Sequence, residues 1–181
     1  ILKFLSNSSN IFLYSSIKKF VFNFSLNFYR TPLCAAANHN FNDILNLIFE
    51  HKNIEIVEGC FLNCSTLKSL VIPTKITSIK FQSFQNCSSL TEITIPDSVI
   101  SIGISAFQGC KSLKKISIPS SVTSISSYSF YQCTSLTEII IPPSVSLIAD
   151  STFFECSSLV NVQIPSSVSY IKDRAFLGCS A

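Results

Sequence analysis

The sequence predicts a repeat solenoid, in which coils of 23 residues stack on one another with their strands paired in a parallel β-sheet and their corners made by short helical or 3₁₀ turns. Three observations carry that expectation. Phenylalanine and cysteine recur at one fixed interval. Proline ends an apolar, partly alternating stretch at the same place in each unit. Apolar residues make up 47% of the 181 residues and charged residues only 13%, too apolar for disorder and too lightly charged for an ordinary soluble surface.

The interval is read one residue type at a time. Phe61, Phe84, Phe107, Phe130, Phe153 and Phe176 stand 23 apart, and so do Cys64, Cys87, Cys110, Cys133, Cys156 and Cys179. Leu67, Leu90, Leu113, Leu136 and Leu159 keep the same spacing, as do Pro73, Pro96, Pro119, Pro142 and Pro165. In "SLTEITIP" the ending alternates, with Ile93 and Ile95 on one face and Glu92 and Thr94 on the other, which is a strand pattern. Pro96 stops it because proline has no amide hydrogen to give a ladder. "SVISI" adds the inward residues Val99 and Ile102, and "SAFQGC" turns the chain.

The repetition has an energetic reason. One coil buries only a handful of apolar side chains, each worth roughly 1.5–3 kcal/mol. Ordering its backbone costs roughly 1–2 kcal/mol per residue. A lone coil does not hold, whereas stacked coils bury their faces on each other, and stability grows with their number.

The unit F-x-x-C-x-x-L-x-x-[LIV]-x-I-P resembles the BspA-like leucine-rich repeat family over about residues 54–181. The resemblance implies a curved leucine-rich repeat array without enzyme activity. It also implies surface or secreted antigens that bind host or matrix proteins. Upstream, "TPLCAAANHNFNDILNLIFEHKNIEI" (31–56) is similar to an ankyrin repeat, an α-helical pair in which Cys34 replaces the usual histidine after Thr31-Pro32-Leu33. The organisation expected is therefore a helix pair at 31–56 and a solenoid at 57–181, with 1–30 open to reading as a degenerate earlier repeat. The chain opens at Ile1 without methionine and stops at Cys179-Ser180-Ala181, where the next coil's leucine would follow, so a longer protein with further coils is expected.

Chemistry finds little foothold. His39 and His51 lie outside the array, no nucleophile stands at a motif distance from either, and four glycines make no phosphate loop. No metal site or cofactor is expected: the cysteine ladder lacks a C-x-x-C pair and reads as thiols packed as small apolar groups. Identical in-register positions point in parallel, which disfavours disulfides between coils. Net charge is +3, the basic clusters are limited to Lys18-Lys19 and Lys111/Lys114/Lys115, and no nucleic-acid partner is expected. No apolar run reaches the ~18–20 residues of a membrane span. Asn63-Cys64-Ser65 and Asn86-Cys87-Ser88 fit the glycosylation sequon.

What varies between coils is the outward strand face. Its columns are Lys68, Thr91, Lys114, Thr137 and Val160; Ser69, Glu92, Lys115, Glu138 and Asn161; and Val71, Thr94, Ser117, Ile140 and Gln163. The charged column is expected to form an ion ladder, Glu92 to Lys115 to Glu138. Solenoids commonly bind proteins on such a face. The candidate binding residues are thus Lys68, Ser69, Val71, Thr91, Glu92, Thr94, Lys114, Lys115, Ser117, Thr137, Ile140 and Gln163. Phe81, Tyr128 and Tyr170 face outward elsewhere and form a rival surface. The function expected is a protein-binding module of surface-antigen or adhesin type. A cytoplasmic ankyrin and leucine-rich-repeat scaffold, or a structural spacer, is the alternative.

Overall fold

The computed structural model describes Ile56 and residues 58–180. The readings of 1–30 and, Ile56 apart, of 31–56 lie outside those residues.

The chain winds as a parallel β-solenoid. Among the described residues the strands are β1 (Ser69–Val71), β2 (Ser78–Ile79), β3 (Glu92–Thr94), β4 (Ser101–Ile102), β5 (Ser124–Ile125), β6 (Glu138–Ile140), β7 (Leu147–Ile148), β8 (Asn161–Gln163) and β9 (Tyr170–Ile171). Every pairing is parallel and joins residues 23 apart, such as Leu70 with Ile93, Ile102 with Ile125 and Ile139 with Val162.

The structure refines the single sheet expected from sequence into two ladders. The strand before each proline forms one (β1–β3 and β6–β8), and the "SVISI" segment forms another (β2–β4–β5 and β7–β9). Between β3 and β6 the first ladder narrows to one bridge, Thr94 to Ser117. Pro73, Pro96, Pro119, Pro142 and Pro165 separate the ladders. Each proline carbonyl accepts the amide three residues on, 3.0 Å for Val99 to Pro96, which turns the chain into the second strand. Ser98, Ser121, Ser144 and Ser167 then donate their hydroxyls to carbonyls of the preceding coil, at Ile76, Val99, Val122 and Val145.

The corner at "SFQNC" is not a helix, and no helix occurs among the described residues. Its amides alternate in duty. Those of Ser83, Gln85 and Cys87 donate to carbonyls three residues back, at 3.1–3.3 Å. Those of Gln82, Phe84 and Asn86 donate to Ile104, Ala106 and Gln108 of the next coil, at 2.7–3.0 Å. A helix needs every amide for itself; here every second one is given to the stack. Left-handed backbone at two positions per coil makes the alternation possible. One column runs Gly59, Gln82, Ser105, Tyr128, Ser151, Arg174, and the other Asn63, Asn86, Gly109, Gln132, Glu155, Gly178, all with φ between 51° and 82°. Most are not glycine, so the stacking bonds offset a conformational cost of about 1–2 kcal/mol at each such residue.

The core is a set of columns. The Phe61, Phe84, Phe107, Phe130, Phe153 and Phe176 rings stack one above another, centroids 5.0–5.4 Å apart and planes within 11°. Phe84, Phe107, Phe130 and Phe153 are fully buried, as are Cys87, Cys110, Cys133, Leu90, Leu113 and Leu136. In the last described coil, which has no described coil beyond it, Ile164 and Ile171 are exposed, whereas Ile141 and Ile148 one coil earlier are buried.

Beside the phenylalanines runs a column of small residues: Cys60, Ser83, Ala106, Ser129, Thr152 and Ala175. Ser83 and Thr152 donate to Lys80 and Ala149 carbonyls, at 2.8 and 2.7 Å. The Ser129 hydroxyl is buried without a partner.

Two stability outcomes follow. Ser129→Ala removes an unsatisfied hydroxyl from a slot that alanine fills in other coils, and should raise stability by about 1 kcal/mol, whereas Ser83→Ala lowers it. Phe107→Ala breaks the ring column in its middle and should lower stability by about 3–5 kcal/mol. Urea unfolding of the three variants measures both.

Candidate protein-binding surfaces

The strand face is built by alternation. In β3 the Ile93 side chain enters the core, leaving Glu92 and Thr94 outside; in β6 Ile139 enters and Ile140 stays outside. Repetition at 23 residues places the same offsets side by side. Of the sequence candidates, Lys68, Val71, Thr91, Glu92, Thr94, Lys114, Lys115, Ser117, Thr137, Ile140 and Gln163 are exposed, and Ser69 is half-buried. Val71 and Ile140 are 54% and 58% exposed. Ladder register sets Ser69 beside Glu92, Val71 beside Thr94 and Ile140 beside Gln163.

Half of the expected ion ladder forms. The Lys115 ammonium lies 2.7 Å from the Glu138 carboxylate, and among the described residues no ion pair joins Glu92 to Lys115. The strand pairing between these coils is reduced to the bridge two residues on, and Lys115 turns toward the far side. The pair is solvent-exposed and contributes about 0–1 kcal/mol. Thr91, Thr137 and the neighbouring backbone tie to the same edge: the Thr91 and Thr137 amides donate to the Lys68 and Lys114 carbonyls, at 2.8 and 3.1 Å.

The cysteine ladder has a structural duty. The thiols of Cys87, Cys110, Cys133, Cys156 and Cys179 donate to the carbonyls of Phe61, Phe84, Phe107, Phe130 and Phe153, at 3.1–3.2 Å. A small donor that is otherwise apolar suits this slot, since the bond satisfies a carbonyl that also accepts the cysteine amide of its own coil. These five and Cys60 are free thiols. Burial pushes the Cys87 and Cys156 thiols up to about 12. It takes Cys110 and Cys133 well above the ordinary range, and neighbouring ladder thiols add to the shift. Thiols so held are poor nucleophiles and poor metal ligands. Among the described residues no group of three or more His, Cys, Asp or Glu is placed to hold a metal ion, and no helix is long and apolar enough to cross a membrane.

The turn edge carries features that the sequence reading missed. Phe81, Tyr128 and Tyr170 are exposed as expected, Phe81 and Tyr128 in turns and Tyr170 in β9. Tyr131 and Phe154, one coil apart, also stack there, half-buried, with centroids 4.9 Å apart and planes within 2°. Tyr128 leans on Tyr131 at 5.8 Å. The column Leu62, Gln85, Gln108, Tyr131, Phe154, Leu177 was the available signal, because residues 23 apart must touch. Polar side chains on this edge pair between coils in the same way. Asn86 donates to Asn63 at 2.9 Å, and Gln132 to Glu155 at 2.7 Å. Both sequon asparagines are exposed.

Comparison with known proteins places these features. The pattern described as a BspA type leucine rich repeat region matches residues 54–181 in six copies. A leucine rich cell surface protein from Faecalibacterium prausnitzii is 40% identical with a TM-score of 0.64, over 68% of this chain and 34% of that one. The leucine-rich repeat protein of T. pallidum is 26% identical with a TM-score of 0.57, over 70% of each chain. One from Bacteroides ovatus is 27% identical with a TM-score of 0.55, over 69% of this chain and 38% of that one. The chain thus spans about a third of the length of the Faecalibacterium protein. No curated protein matches it.

Thiol burial has a pH consequence. A group whose folded value is raised adds stability that is complete below its unfolded value, near 9.0, and is lost as pH climbs toward the folded value. The urea midpoint should hold steady up to about pH 9 and then fall toward pH 12, each buried thiol adding a slope of about 1.4 kcal/mol per pH unit. The Cys110→Ala/Cys133→Ala double variant should show a shallower fall.

Proposed function

Because the chain belongs to the BspA-type leucine-rich repeat family, we propose that it is a non-catalytic protein-binding module that captures a protein partner along the strand face of its solenoid. One observation carries the reading. The columns pointing inward repeat Phe, Cys, Leu and Ile almost unchanged, whereas the columns on the strand face differ from coil to coil and are exposed. A core that repeats needs only to stack, while a surface that varies can tell partners apart.

The face suits a protein surface. It offers threonine and serine hydroxyls, the lysines Lys68, Lys114 and Lys115, and three exposed aliphatic side chains, Val71, Ile140 and Val160, spread over several coils. Contact over many coils adds small contributions into usable affinity without a deep pocket. The partner is a protein, and resemblance to the family favours a host or matrix protein. The cell-surface description of the Faecalibacterium protein favours the cell surface or secretion for this chain as well. The cytoplasmic scaffold reading draws on free thiols, which buried packing accounts for in either compartment, and on residues 31–56, which apart from Ile56 lie outside the described residues.

The triple variant Thr94→Ala/Lys115→Ala/Ile140→Ala removes only exposed atoms, so it should unfold at nearly the same urea concentration as the parent. Capture of partner from host-cell surface extract by the full chain should weaken about tenfold or more. Capture at parental strength by the folded variant would remove the strand face from consideration.

A further inference from the structure

The aromatic cluster on the turn edge is a separate surface from the strand face. From the geometry we infer that it is a docking site for an arginine side chain on an extended segment of a partner protein. Tyr131 and Phe154 form a parallel stacked pair across two coils, with Tyr128 tilted 51° against Tyr131, so rings are presented in two orientations. Tyr128 is 40% exposed although its backbone is held in the left-handed region, where the amide donates to the Asp150 carbonyl of the next coil at 3.1 Å. The fold thus fixes a large aromatic side chain outward. Such rigid rings lose little entropy on binding.

Charge selects the occupant. Between Lys115 and Lys172 the chain has no lysine or arginine, and its acids there are Glu138, Asp150 and Glu155; the coil stacked on Asp150 adds Lys172, Asp173 and Arg174. Glu138 is engaged by Lys115, while Asp150 and Glu155 have no ion-pair partner among the described residues. Glu155 follows Phe154 directly and is positioned by the Gln132 amide at 2.7 Å, beside the Tyr131–Phe154 pair. Asp150 is aligned with Tyr128 by the backbone bond between them. The exposed Tyr128 ring, with Asp150 and Glu155 on the same edge, matches a guanidinium, which stacks on rings and forks onto carboxylates at once. An ammonium does only the second well.

The test uses the full chain with blocked hexa-arginine and hexa-lysine peptides in titration calorimetry. Hexa-arginine should bind about fivefold or more tightly than hexa-lysine. Tyr128→Ala and Glu155→Gln should each weaken hexa-arginine about fivefold. Asp97→Asn, a carboxylate on a distant loop, should leave it unchanged, and so should the strand-face triple variant, which separates this surface from the one proposed above. If Tyr128→Ala loses its fold, Glu155→Gln alone decides. The inference is overturned if Asp97→Asn weakens binding as much as Glu155→Gln, which would mean diffuse attraction. It is also overturned if both peptides bind alike, or if sedimentation shows a dimer that Tyr128→Ala abolishes, which would make the occupant a second copy of the chain.

Discussion

The register between coils is the constraint on which the rest depends. Each turn gives half of its amides to the next coil, so a coil's backbone is complete only when its neighbour sits in one position. The phenylalanine rings, stacked at 5.0–5.4 Å, lock that position from the inside. A slip of one residue would set rings against small residues and strip the turns of partners. Backbone bonding and ring packing therefore demand the same period, and a chain under both demands has little freedom to change its repeat length.

That register also settles how polar atoms survive in a thin core. A solenoid this narrow brings many carbonyls close to its axis. The cysteine thiols and the serines after each proline reach back to carbonyls of the previous coil, always at offsets of 26 and 22 residues. Side chains that look like packing filler in one dimension are thus hydrogen-bond donors in three. Satisfying these groups matters more than their small individual energies suggest, because a buried carbonyl without a donor costs more than the bond itself contributes.

With the inside so constrained, variation is left to the surfaces, and the two surfaces differ in character. The strand face is broad, weakly charged and carries lysines. The turn edge around Tyr128, Tyr131 and Phe154 is narrow and aromatic. In both, side chains touch between coils before they touch anything else: Lys115 with Glu138, Gln132 with Glu155, Tyr131 with Phe154. Surface composition in a repeat protein is therefore read down columns, and a residue's meaning depends on what stands 23 positions away.

The sequence by itself determined the period, the inward residues and the exposure of the strand-face candidates, because a stacked fold maps each column of the repeat onto one line in space. Phe107, Cys110 and Leu113 are buried, and Thr94 and Ile140 exposed, as their columns required. Only the tertiary structure decided how the backbone closes the corners and where the polar side chains point. The second ladder consists of two-residue strands, too short for alternation to announce them. The corner's share of amides between its own turn and the next coil leaves no mark in residue type, since Gln82, Ser105 and Tyr128 all adopt the same left-handed backbone. Lys115 chose Glu138 over Glu92 through side-chain geometry, which equal spacing in sequence cannot distinguish.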